Sequence, residues 1–242
     1  MMSRENILNN HLDFPGRSIL AIGEKPSSRA LFSMTLFQHT LFVYGGIKSD
    51  ILGEMWCCKI NDHDQPYKWV NVTKREKKLY QNYYIPNPRF GHTAVLHKDE
   101  IYIFGGRVKE GKPREDLITF NVHTFKFINE TCFCKSEFSY RRHHIAESVG
   151  QYMLVHGGID DSGKILNDSW LLDYSNHKWQ RVELKIPIGT KVPSLANHAS
   201  CLVVTSDKKV NPSFNIYKSL ESLGLKSNTK KVTFKLNTYF RH

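Results

Sequence analysis

The chain predicts an all-β fold made of stacked four-stranded antiparallel sheets, three of them complete and a fourth begun. Three observations carry this. A Gly-Gly pair closes an apolar run three times, in "LFVYGG", "IYIFGG" and "YMLVHGG", giving Gly45-Gly46, Gly105-Gly106 and Gly157-Gly158. An arginine stands 16 residues before each first glycine, at Arg29, Arg89 and Arg141. Aromatic residues make up 12 % of the 242 residues, a share that suits strands better than a helical bundle.

The first glycines are 60 and 52 residues apart, long for a helical repeat and suited to four strands with an inserted loop. Each unit opens with a strand, a tight polar turn and a second strand: "RALFSMTLFQHTLFVYGG", "RFGHTAVLHKDEIYIFGG" and "RRHHIAESVGQYMLVHGG". His92 and His144 lie 13 residues before their glycines, and Phe32 takes that place in the first unit. A polar loop follows, then a third strand in "GEMWCCKI", "EDLITFNV" and "NDSWLLDY". An aromatic comes next, Trp69, Phe125 or Trp179, beginning or lying in a short fourth strand. Such a sheet buries little alone and must stack face to face, with the aromatic filling the space between neighbours. Glycines at the strand ends permit positive φ and close backbone approach.

Residues 70–88 contain "TKREKKLYQNYYIPNP", read as a basic, aromatic loop inserted between the first two units, with Tyr80, Tyr83 and Tyr84 packing on the rim. "PSLANHASCLVV" resembles the first strand of a fourth unit, with His198 in the histidine position, but no Gly-Gly follows. In the remaining segment, "YKSLESLGL" has helical spacing and "KKVTFKLNTYF" alternates like a strand. The expected divisions are an N-terminal extension at 1–25 that can supply a closing strand, repeats at about 26–75, 86–132, 138–185 and, in part, 193–204, and a basic segment at 205–242.

Taken together, Arg-x-x-His, an apolar strand, Gly-Gly, "NDSWLLD" and a later Trp resemble the kelch repeat. The resemblance covers about residues 26–204 and implies a kelch-type β-propeller, incomplete here, acting as a non-catalytic scaffold for other proteins. In adaptor-type members an arginine of this strand can line the partner-binding mouth. That makes Arg29, Arg89 and Arg141 candidates for gripping an acidic peptide, against the alternative of internal ion pairs or a scaffold role. The loops after Gly-Gly vary while their frame repeats, which singles out Lys48, Asp50, Arg107, Lys109, Asp160, Asp161 and Lys164.

Competing chemistry is weaker. "GIDDSGKI" satisfies G-x-x-x-x-G-K, but Ile165 replaces the magnesium-binding Ser or Thr, and a strand rather than a helix follows. The 12 histidines and five cysteines lack the local spacing of a zinc site, so no metal and no cofactor is expected. An enzyme of the galactose-oxidase-like propeller type is the main alternative, though no catalytic constellation stands out. Net charge is +11, but residues 206–242 hold 8 Lys+Arg against 2 Asp+Glu, so over half of the excess lies in a tail and nucleic acid is set aside as partner. No apolar run reaches the roughly 20 residues of a membrane helix, and the opening residues lack a signal-peptide pattern. A cytoplasmic location is therefore expected. Self-association is expected if the propeller is open.

Overall fold

A computed structural model describes residues 21–60, 67–109, 117–130, 138–182, 194–197, 199–205 and 231–237. The first unit contains β1 (Ala21–Ile22), β2 (Ser33–Phe37), β3 (Thr40–Tyr44), β4 (Met55–Lys59) and β5 (Tyr67–Asn71), followed by helix α1 (Val72–Leu79). The second is β6 (Thr93–His97), β7 (Glu100–Phe104), β8 (Leu117–Asn121) and β9 (Phe127–Glu130). The third is β10 (Ile145–Val149), β11 (Tyr152–His156), β12 (Ser169–Asp173) and β13 (Trp179–Val182). Each is an antiparallel meander in sequence order, and β1 adds to the outer edge of the first by pairing parallel with β5. A further pair, β14 (Ala199–Thr205) and β15 (Lys231–Asn237), is antiparallel. The strand alternation read in "KKVTFKLNTYF" thus finds its partner in the start of the fourth unit. The helical spacing at 217–225 lies outside the described residues, as does His198.

The first strands β2, β6, β10 and β14 are successive neighbours, so they form the inner edge of an arc of blades. Alternation along each strand gives every blade two apolar faces. One face of the first blade (Phe42, Tyr44, Met55, Cys57) packs on Ile101, Ile103, Ile118 and Phe120 of the second. The opposite face of the second (Val95, Tyr102, Phe104, Leu117) packs on Met153, Val155, Trp170, Leu172 and Trp179 of the third. Two cores therefore lie between sheets rather than inside one, as stacking requires.

One sequence reading is corrected by register and a second by the helix that follows β5. Trp69 faces Cys58 and Trp179 faces Leu172; the residue in that register in the second blade is Phe127, opposite Phe120. Phe125 sits instead in the turn before β9 with φ of +57°, and Phe127 is the one deep in the core. The inserted segment after β5 is also not simply a loop. Asn71 caps α1 by accepting the Lys74 amide at 2.9 Å, and Lys77 and Lys78 suit its C-terminal end. Val72 and Glu76 are buried, Arg75 lies over the Phe125 ring, and the Tyr83 hydroxyl donates to the Phe125 carbonyl at 2.6 Å. The helix thereby clasps the first blade to the turn of the second.

Candidate functional site

The 16-residue offset has a direct structural cause. Nη1 of Arg29 donates to the Gly45 carbonyl at 3.1 Å, that of Arg89 to Gly105 at 3.2 Å, and that of Arg141 to Gly157 at 3.1 Å. In each case Nε donates to the carbonyl two residues upstream, Ser27, Asn87 or Ser139. Each guanidinium thus ties the entry of its blade to the end of the second strand. Arg141 also grips Asp168 with both terminal nitrogens, at 2.6 and 2.9 Å, and Arg29 pairs with Glu54 at 3.3 Å. Asp116 holds the same place in sequence, directly before β8, and lies outside the described residues. Arg89 and Arg141 are fully buried, and the Arg29 side chain is only 3 % exposed. The donors of these arginines are spent on the frame. A buried guanidinium is tolerable because its donors are satisfied and, in Arg141, its charge is paired.

Asp168 shows the balance. Burial alone would raise its carboxyl, but the hydrogen bond and charge of Arg141 and the Trp170 indole N–H hold it below the ordinary carboxylate range.

The glycines serve the seams. A Cβ on Gly45 would stand 2.6 Å from the Arg89 carbonyl and 2.8 Å from the His92 ring; on Gly105 it would meet the Arg141 carbonyl at 2.5 Å and the His144 ring at 2.8 Å. The second glycine of each pair donates its amide to the next blade: Gly46 to Arg89, Gly106 to Arg141, Gly158 to Leu195. The repeated histidines cross the same seams. His92 Nε2 lies 2.8 Å from the Ser33 hydroxyl and His144 Nε2 2.8 Å from that of Thr93. Burial, aided by the Arg89 charge, lowers the His92 pKa to about 3, so the ring stays neutral. A third link uses main chain alone. Gly91 donates to Leu31, His143 to Gly91 and Asn197 to His143, all four residues having φ between 54 and 65°. His143 therefore precedes β10 in a left-handed conformation rather than lying within a strand.

The loops after Gly-Gly leave the blades at the opposite end from the strand-connecting hairpin turns. Lys48, Asp50, Arg107, Lys109, Asp161 and Lys164 are exposed and Asp160 is half-buried. "GIDDSGKI" forms a turn, in which Asp160 accepts the amides of Ser162 and Lys164 and Ile159 bridges Ile165. Strand β12 follows it where a phosphate loop leads into a helix, so the turn lacks phosphate-loop geometry. No cluster of three metal-binding side chains occurs among the described residues, and no described helix is long and apolar enough to cross a membrane.

Blade-like meanders, arranged with their first strands innermost and tied by a repeated Arg–Gly bond, define a β-propeller arc of the kelch type. The KLHDC2/KLHL20/DRC7 Kelch-repeats domain matches residues 67–210, and the chain belongs to this kelch-repeat family. It is similar to tRNA wybutosine-synthesizing protein 2/3/4 of Arabidopsis thaliana, with 32 % identity over 40 % of this chain and 10 % of that protein. An F-box/kelch-repeat protein of the same plant is 27 % identical over 65 % of this chain and 34 % of its own length. The chain thus spans about a tenth of the first of these relatives and about a third of the second. The solved structure of YjhT aligns with a TM-score of 0.51 and 14 % identity, covering 66 % of this chain and 53 % of that one, a likeness of fold.

Proposed function

We propose that this chain is a non-catalytic protein-interaction scaffold whose contact surface is the end bearing the post-glycine loops. The observation that carries the reading is a division of labour among its charged residues. The repeated arginines are buried in the frame, while Lys48, Asp50, Arg107, Lys109, Asp161 and Lys164 are exposed on connections that differ in length and charge. A rigid repeat holding variable loops fits recognition of another protein, and similarity to a protein named as F-box/kelch-repeat supports this class of role. Free, buried Cys57 and Cys58 are in keeping with a reducing, cytoplasmic setting.

The test is affinity capture with the purified chain and with an Arg107→Glu, Lys109→Glu, Lys164→Glu variant. The expected outcome is a defined set of proteins held by the parent and released by the variant, at equal thermal stability. Identical capture by both would refute the loop-face assignment.

A further inference from the structure

We propose that the hairpin-turn end of the seam between the second and third blades is a second recognition site, a groove that takes the guanidinium of an arginine side chain on a partner protein. The groove has a volume of about 400 Å³ and lies at the opposite end of the blades from the post-glycine loops. Its walls are aromatic. His97, at the end of β6, stacks on Tyr174 with ring centroids 3.9 Å apart, and Tyr102 of β7 leans on the same tyrosine at 4.6 Å. Its charge is acidic, in a chain of net charge +11. Asp99 and Glu100 line it against Lys98, the one cation of the lining among the described residues. Asp99 is 58 % exposed, with His123 of the neighbouring turn 3.4 Å away. Glu130 stands nearby, 3.5 Å from His177. Burial first, then the charges of Glu100 and Glu130, push the Tyr102 phenol above its ordinary pKa, so both carboxylates act on the aromatic wall. Burial and the Lys98 charge outweigh Glu100 at His97 and lower its pKa, so that ring adds an aromatic surface and no competing charge at neutral pH.

The same place in the first seam is made differently. Strand register, with the amide bonds of Val122 to Asp99 and Tyr174 to Gln151, aligns Phe37, His39, Thr40, Phe42 and Val122 with His97, Asp99, Glu100, Tyr102 and Tyr174. There the His123 ring packs edge-on against Phe37. The frame repeats, whereas the carboxylates and the two tyrosines belong to the second seam, as a site laid on a scaffold would.

The arrangement suits arginine. A planar guanidinium lies on aromatic rings and forks onto a carboxylate, which an ammonium does less well. The Tyr102 hydroxyl donates to Glu100 Oε2 at 3.1 Å, holding that carboxylate beside the rings while using one of its roughly four acceptor positions. The rim suits a peptide main chain. Asn121 is fixed by accepting the His123 and Thr124 amides at 3.1 and 2.9 Å, Ser175 by donating its amide and hydroxyl to Asp173, and exposed Gln151 adds a further amide. The choice of a protein-borne arginine rests on reading the chain as an interaction scaffold.

NMR titration of the purified chain with a blocked alanine–arginine–alanine peptide tests this. The expected result is a Kd of ~0.1–1 mM, read from shifts of the His97, Tyr102 and Tyr174 rings. The same peptide with citrulline, which keeps the shape and loses the charge, should bind at least ~10-fold more weakly. Glu100→Gln, which keeps an acceptor for Tyr102, should weaken the arginine peptide by a similar ~10-fold. N-acetylarginine amide, lacking the flanking main chain, should bind at least ~3-fold more weakly than the peptide. The Arg107→Glu, Lys109→Glu, Lys164→Glu variant should bind the peptide as the parent does. Protein capture by that variant therefore judges the loops, and peptide binding judges the groove. No binding below ~10 mM, equal binding of the citrulline peptide, shifts confined to other residues, or loss of binding in the loop variant would each overturn the proposal. Equal affinity for N-acetylarginine amide would assign the groove to a small guanidinium compound and overturn the protein-borne occupant. Should Glu100→Gln not fold, the citrulline comparison on the parent chain decides.

Discussion

Replacing Arg141 by methionine tests whether the repeated arginine belongs to the frame. The side chain is fully buried and makes four hydrogen bonds: to Ser139, to Gly157 and two to Asp168. Methionine keeps most of the volume and loses every donor. Two carbonyls and a carboxylate that is only 14 % exposed would then have to find other partners. Removing one side of a buried charge pair costs about 3–5 kcal/mol, because the remaining charge stays desolvated. In a protein of this size each kcal/mol moves the melting temperature by about 2–4 °C, so a fall of roughly 6–20 °C is expected. Urea denaturation followed by tryptophan fluorescence gives the free energy, and the Trp170 indole bonded to Asp168 places a reporter at the site. Asp168→Asn in the same chain should recover part of the loss, since it removes the stranded charge. The reasoning fails if Arg141→Met costs under about 1 kcal/mol, or if adding Asp168→Asn makes matters worse by its full separate cost.

The remaining predictions concern the seams. His92 has a folded pKa near 3 against about 6.5 unfolded, so the unfolded chain takes up the proton first as the medium is acidified. Its contribution to stability is complete above pH ~6.5 and declines toward pH 3, with a slope of up to about 1.4 kcal/mol per pH unit. Melting at pH 7.5 and pH 5 should differ less in His92→Gln than in the parent. Gly105→Ala puts a methyl 2.5 Å from the Arg141 carbonyl at φ of +67° and should cost at least about 2 kcal/mol, whereas Gly150→Ala, with open space around it, should cost about 1 kcal/mol; urea midpoints compare them. Trp179→Ala should cost about 3–5 kcal/mol, since this ring packs on Phe104 and Phe138 between the second and third blades, as thermal melts would show.

Much of the fold was legible because the same bond recurs. A fixed Arg-to-Gly spacing survives in all three blades since one guanidinium must reach one carbonyl, and the glycine pair survives since the next blade's backbone occupies the space of a side chain. What escaped the sequence has equally physical reasons. Phe125 and Phe127 lie two residues apart, and only the register opposite Phe120 tells which is the core aromatic. Helix α1 has a weak local signal, with its charged run and tyrosines resembling a loop. Its order comes from tertiary partners, the Phe125 ring above all. That the arginine donors serve the frame was one of two readings open to sequence, because spacing fixes a repeat but not the direction of a side chain. The exposed loop residues were visible as variation within a repeating frame.

The main-chain link through Leu31, Gly91, His143 and Asn197 places unusual demands on inheritance. Because it reads no side chain, four different residue types serve it. The limit is conformational: each site must accept a left-handed backbone, which costs non-glycine residues about 1–2 kcal/mol. Asparagine and glycine meet that limit with least strain, and at Gly91 a Cβ would also stand 2.8 Å from the His143 ring, so these positions are narrow in shape. Blades joined in this way can be copied, exchanged and diversified on their surfaces while the hinge between them keeps one geometry.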